Sequence, residues 1–122
     1  MYRIVHGFSK NLDQISLPAI ITQSILEFST KIRREFPNQI SQIILFGSYA
    51  RGDYHDHSDV DILVVTTDDT WDLKKGIMDA GFYFYFEMGV LITARVMTEQ
   101  QYKKTKEYVF MKEVARDGVA IV

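Results

Sequence analysis

The chain has 122 residues, 47% of them apolar and 25% charged, which is the size and balance of one globular domain and excludes a fibrous or disordered protein. It contains no cysteine, so disulfides, cysteine zinc sites and thiol catalysis are excluded; no apolar run approaches the ~18 residues of a membrane span. The net charge of −2 is uneven, with nine acids against Lys74 and Lys75 in residues 53–87 and basic flanks on either side, so there is no basic stripe for nucleic acid, only an acidic segment that suits a cation or plain solvent.

The opening MYRIVHGFSKNLDQIS lacks the apolar stretch and cleavage site of a secretory signal, and a cytoplasmic protein is expected. No repeat or Pro/Gly/Ser linker divides the chain, which reads as a single domain over residues 1–122 with residues 1–15 as a loosely attached N-terminal segment. From Leu17 to Phe36 the apolar residues Ile21, Ile25, Phe28, Ile32 and Phe36 recur at a helical period, with Ser16 as N-cap, Pro18 in the first turn, and Pro37 and Asn38 as the stop. Ile43 to Phe46 form a short apolar run suited to a buried strand that ends at Gly47. Val60, Ile62, Leu63, Val64 and Val65 make a second strand, apolar on both faces apart from Asp59 and Asp61.

Asp68, Asp69 and Thr70 offer the N-cap of a helix whose Leu73, Ile77, Ala80, Gly81, Phe84 and Met88 share one face and which Gly89 closes. Met78, Phe82 and Phe86 form a second apolar stripe at i, i+4, i+8 on the opposite side. An outer helix cannot bury both faces in one small domain. The second stripe therefore reads as an interface, to another copy of the chain or to a helical subunit, unless the N-terminal fifteen residues or the C-terminal helices cover it. Val90 to Met97 reads as a third strand, Thr98 to Lys106 and Glu107 to Asp117 as helical segments stopped by Gly118, and Val119 to Val122 as a terminal strand. Two successive strands joined by a long loop favour an α+β fold, a small mixed sheet flanked by helices.

The chemistry concentrates in GSYARGDYHDHSDVD, Gly47 to Asp61. Alternate residues of a strand point to one side, so Asp59 and Asp61 project together. Such a pair either frays into water at the strand start or, desolvated, calls for a divalent ion such as Mg²⁺. Gly47 and Ser48 follow directly on a buried strand, where glycine permits close backbone approach and the amides of a helix start accept phosphate oxygens. Arg51 lies one turn on, able to meet a phosphate through several N–H groups, and Gly52 lets the chain reverse. Together these form a site for a metal-bound triphosphate. His55 and His57 flank Asp56 in the intervening loop and read as solvent-exposed.

The run LFGSYARGDYHDHSDVDILVV resembles the nucleotidyltransferase superfamily of DNA polymerase beta, and within it the small stand-alone minimal nucleotidyltransferases. The ending FMKEVARDGVAIV is similar to that branch as well. The resemblance implies a polymerase beta-type α+β fold that moves a nucleoside monophosphate from a triphosphate, such as ATP, onto a protein or small-molecule hydroxyl with Mg²⁺. By motif position it implies Asp59 and Asp61 as catalytic metal ligands, with Gly47, Ser48 and Arg51 binding the nucleotide. It also implies pairing with an all-helical HEPN-type protein as antitoxin to toxin. Full activity in this superfamily goes with a third carboxylate on the next core strand, and VLITARVMT has none: Thr93 or Arg95 stands there. Three expectations follow: Arg95 balances the two aspartates as an ion pair in place of a metal, the two acids support chemistry by themselves, or Glu87 serves as a substitute third ligand; the alternative function is a catalytically weakened nucleotide-binding antitoxin or regulatory subunit.

Overall fold

In the computed structural model, which describes residues 10–121, a 3₁₀ turn at Leu12–Gln14 precedes α1 (Ala19–Glu35), β1 (Ile40–Phe46), α2 (Ser48–Arg51) and β2 (Val60–Thr66). Then follow α3 (Trp71–Met88), β3 (Ile92–Thr98), α4 (Glu99–Lys104), α5 (Val109–Asp117) and β4 (Val119–Ala120). The strands lie side by side in the order β3-β2-β1-β4. β1 is antiparallel to β2 and β4, and β2 is parallel to β3; the parallel pair needs a crossover, which α3 supplies. This is the mixed α+β architecture expected from the element order.

Period-two alternation in β2 assigns its side chains to two cores. Val60, Ile62 and Val64 join Ile25, Phe28, Ile77 and Phe84 beneath α1 and α3, where Phe28 and Phe84 meet edge to face at 6.4 Å. Leu63 and Val65 join Ile44, Met111 and Val114 beneath α5. Asp61 alternates with Leu63 and so stands on the α5 side of the sheet.

Several boundaries differ from the sequence expectation, each for a local reason. α1 starts at Ala19 with Pro18 in an extended conformation as its N-cap, and the Pro18 carbonyl accepts from the amides of Ile21 and Thr22; Ser16 lies too far upstream to cap it. β3 starts at Ile92 rather than Val90 because Gly89 turns left-handed and the Val90 amide still bonds back to Phe84 O. Thr98 ends β3 and caps α4 in a capping box with Gln101. α5 starts at Val109, and the terminal strand is confined to Val119 and Ala120, Val122 lying outside the described residues. Of the segment 1–15, residues 1–9 also lie outside them; beyond, the Lys10 carbonyl accepts from Ala120 N and Asn11 bridges to Ala120, while Leu12 and Ile15 pack on the core.

The outer face of α3 is exposed: Met78 37%, Phe82 56% and Phe86 81%, with Tyr83 and Tyr85 beside them. α5 packs on the other side of the sheet and does not cover this stripe. On the inner side, Gly81 is pressed against β3, where a Cβ would overlap the carbonyl oxygen of Ile92. Backbone cannot yield as a side-chain end can, so Gly81→Ala is expected to lower unfolding free energy by about 1–3 kcal/mol, the usual cost of overpacking, as measured by urea melts.

Candidate active site at the end of strands β1 and β2

The antiparallel register opposes Phe46, the last residue of β1, to Asp61. The next residue, Gly47, thus comes to lie against the Asp61 side chain. Gly47 has φ 79° and ψ −157°, a conformation essentially restricted to glycine. A Cβ there would overlap Asp61 Oδ2. Backbone geometry and space therefore both require glycine. Ser48 then opens α2, whose first amides have no carbonyl within the helix to bond. Gly52, left-handed at φ 89°, closes α2 with its amide on Ser48 O at 2.8 Å, which reverses the chain as expected.

Gly47, Ser48, Arg51 and Asp61 line one cleft of about 280 Å³. Asp61 is half-buried, and its carboxyl is pushed above the ordinary range, chiefly by burial and secondarily by the negative charge of Asp59, with Arg51 and Arg95 opposing. Asp59 itself precedes β2 and is exposed. The ladder begins one residue later, where Val60 N donates to Leu91 O at 2.9 Å. The two acids are thus unequal: Asp61 is held in the sheet and lines the cleft, while Asp59 is exposed and is not among the residues that line it. Arg51 Nε bonds Asp53 Oδ2 at 3.2 Å in an exposed pair, a contact weak enough to exchange for another anion.

Other expectations divide. His55 and His57 are exposed in the loop, as expected, where the His55 amide donates to Ser58 Oγ at 2.8 Å. The loop is anchored by Tyr54 stacked on the buried Tyr49, ring centroids 4.5 Å apart. Arg95 makes no ion pair with Asp59 or Asp61 among the described residues; its guanidinium lies over the Phe110 ring instead. Glu87 is exposed on α3, and that helix packs on the opposite face of the sheet from Asp61, so it is not a substitute third ligand. Among the described residues no three acids or histidines gather closely enough to form a metal site by themselves.

The remaining wall of the cleft comes from α5, through Phe110, Glu113, Val114 and Asp117. Asp117 is gripped by Arg116 through Nε at 3.0 Å and Nη2 at 2.8 Å. Those bonds hold its carboxyl below the usual range, with help from the positive charges of Arg116, Arg51 and Lys10. Sequence reasoning missed this wall. Its only signal was the i, i+3, i+7 spacing of Phe110, Glu113 and Asp117 along one flank of a helix, and that flank gains meaning only once Met111 and Val114 are known to face the sheet.

A model of the nucleotidyltransferase domain matches residues 25–121, a span that includes the Gly-Ser turn, both aspartates and α5. The chain belongs to the nucleotidyltransferase domain family. Among its relatives, two proteins of Methanocaldococcus jannaschii provisionally named protein adenylyltransferases are similar over nearly their whole lengths. One is 36% identical over 79% of this chain and 92% of its own; the other is 34% identical over 83% of this chain and 98% of its own. A toxin–antitoxin crystal structure with AMP-PNP shares the fold, with a TM-score of 0.54 at 20% identity over 78% of this chain and 70% of the other. In this nucleotidyltransferase the half-buried Asp61 carries a raised carboxyl. A carboxyl raised on folding binds protons more readily in the native state, so stability falls as pH rises through the ordinary carboxylate range to the raised value. Asp61→Asn is thus expected to be more stable than wild type at neutral pH, with the difference shrinking as pH falls below that range, as followed by thermal melts across pH.

Proposed function

We propose that this nucleotidyltransferase transfers AMP from ATP onto a protein hydroxyl in the cytoplasm, residues 1–122 acting as one unit. Asp59 and Asp61 would hold a divalent cation, Mg²⁺, while Gly47, Ser48 and Arg51 receive the triphosphate. The observation that carries this reading is the packing of Asp61 directly against Gly47: the residue suited to a cation and the turn suited to phosphate meet at one point. The choice of adenylyl group and of a protein acceptor is supported by the names of the archaeal relatives.

The residues fit the cation. Asp61 is a hard oxygen donor desolvated beside a second carboxylate, an arrangement that a divalent ion relieves. Bound there, such an ion would supply positive charge to phosphate oxygens. The chain's own contribution is placement: the amides at the start of α2 and Ser48 Oγ orient phosphate oxygens, Arg51 adds charge at the rim, and Phe46 and Phe110 keep one side of the cleft apolar. With wild type, Mg²⁺ and ATP, mass spectrometry should show AMP added to an acceptor protein. Asp59→Asn and Asp61→Asn should each cut the transfer by about 100-fold or more, the scale of losing a main electrostatic stabiliser, with circular dichroism unchanged. Full turnover in both variants would overturn the assignment.

A second reading, a weakened nucleotide-binding antitoxin acting through a helical HEPN-type partner, is favoured by Thr93 standing opposite Asp61 on β3 in place of an acid. The exposed Met78, Phe82 and Phe86 would then be the surface that meets the partner or a second copy. Phe82→Asp and Phe86→Asp are expected to lower the mass in solution of a self-associated chain, or to weaken capture of the co-expressed partner at least tenfold. Unchanged mass and unchanged capture would remove this surface from consideration.

A further inference from the structure

Across the sheet the groups of the site follow strand order: the Gly-Ser turn after β1, Asp61 on β2, then Thr93 and Arg95 on β3. Thr93 pairs with Asp61 and Arg95 with Leu63, so both side chains stand on the same face as Asp61. β3 is an edge strand, and both residues are exposed. Arg95 Cζ lies 4.4 Å from the centroid of the Phe110 ring, and Phe110 is braced edge-on by Phe46 at 5.3 Å. A ring face holds a guanidinium without consuming its in-plane N–H donors. No carboxylate pairs with Arg95 among the described residues. The result is a held positive charge with unused donors on the same face of the sheet as Asp61.

Nucleotidyl transfer is an in-line displacement. The acceptor oxygen forms its bond to the α-phosphorus as the bond to pyrophosphate breaks; pyrophosphate leaves with the electron pair and the acceptor proton passes to solvent. Acceptor and leaving group therefore lie on opposite sides of the phosphorus. In strand order β3 lies on the far side of Asp61 from Gly47 and Ser48; were pyrophosphate held at that turn, an acceptor opposite it would come from the side of Thr93 and Arg95. We propose that Arg95, seated on Phe110, selects the acceptor, favouring a protein segment that carries a carboxylate side chain next to the hydroxyl to be modified. This rests on the adenylyltransferase reading above and extends it to the class of acceptor. A guanidinium and a carboxylate make a two-point contact, which would fix the distance from the acid to the hydroxyl.

The test uses two sets of heptapeptides, centred on Tyr or on Ser, each flanked by Asp, Asn or Lys. Transfer of AMP is read by mass spectrometry with Mg²⁺ and ATP, and peptide binding by fluorescence anisotropy without ATP. In at least one set the wild type is expected to favour the Asp-flanked over the Asn-flanked peptide at least tenfold in both readouts. Arg95→Ala should erase that preference with the KM for ATP within twofold, and Arg95→Glu should shift it to the Lys-flanked peptide. Absence of preference in wild type, or the same preference in Arg95→Ala, would overturn the proposal. A raised KM for ATP in Arg95→Ala with peptide preference intact would assign Arg95 to the triphosphate and overturn it too. If wild type transfers no AMP to any peptide or protein, the adenylyltransferase reading fails, while the anisotropy measurements still decide whether Arg95 recognises an acidic segment.

Discussion

One contact organises this molecule: the carboxylate of Asp61 against the backbone of Gly47. It follows from the β1–β2 register, which opposes Phe46 to Asp61. A slip of one residue would turn Asp61 into the core beneath α1 and α3 and exchange the side chains of the two cores. That register is held by burial on both faces, since Ile43 and Leu45 point to one core and Ile44 to the other, all fully buried. The hydrophobic cores thus shape the cleft as well as stabilise the fold, because they fix how close the Asp61 carboxylate and the Gly-Ser turn come.

The same contact has a cost. Asp61 is desolvated, lies near Asp59, and is only partly compensated by Arg51 and Arg95. A chain selected for stability alone would place an apolar residue at this point of β2, as it does at Leu63 and Val65. Keeping an acid there is intelligible if a ligand completes the charge balance. Asp117 shows the contrast: its carboxyl is held down by direct bonds from Arg116. Two acids on the same cleft therefore have opposite environments, one held down by direct bonds from Arg116 and the other raised by burial and by Asp59.

The two faces of the sheet are also specialised. The face beneath α5 carries the cleft, with Arg95 and Thr93 exposed along the edge strand. The face beneath α1 and α3 carries the larger core, and beyond it the aromatic stripe of Phe82 and Phe86. Association through the stripe would leave the cleft open, since α1, α3 and the sheet lie between them. Among the described residues no helix is long and apolar enough to cross a membrane.

Much was legible in the sequence because its signals are local. Period-two and helical spacing located the strands and the long helices, and glycine and proline located most ends, since those depend on neighbours a few residues away. Gly47, Ser48, Arg51 and Asp61 were legible as a group because a strand, a turn and a second strand follow one another in the chain, and the family resemblance rested on the same run. Locality also explains the errors: Ser16 was an acceptable cap in composition, but the extended Pro18 displaced the helix start, and Glu87 does lie on the helix before the strand, as read, but that helix packs on the far face from Asp61. The α5 wall, with Phe110, Glu113 and Asp117, and the seating of Arg95 on Phe110 could not be read in advance. Composition and pattern determined which elements form and which residue types stand at the turn. Only tertiary structure decided which side chains share the cleft, because that depends on strand order and on the face each helix presents, and neither is encoded in the spacing of neighbouring residues.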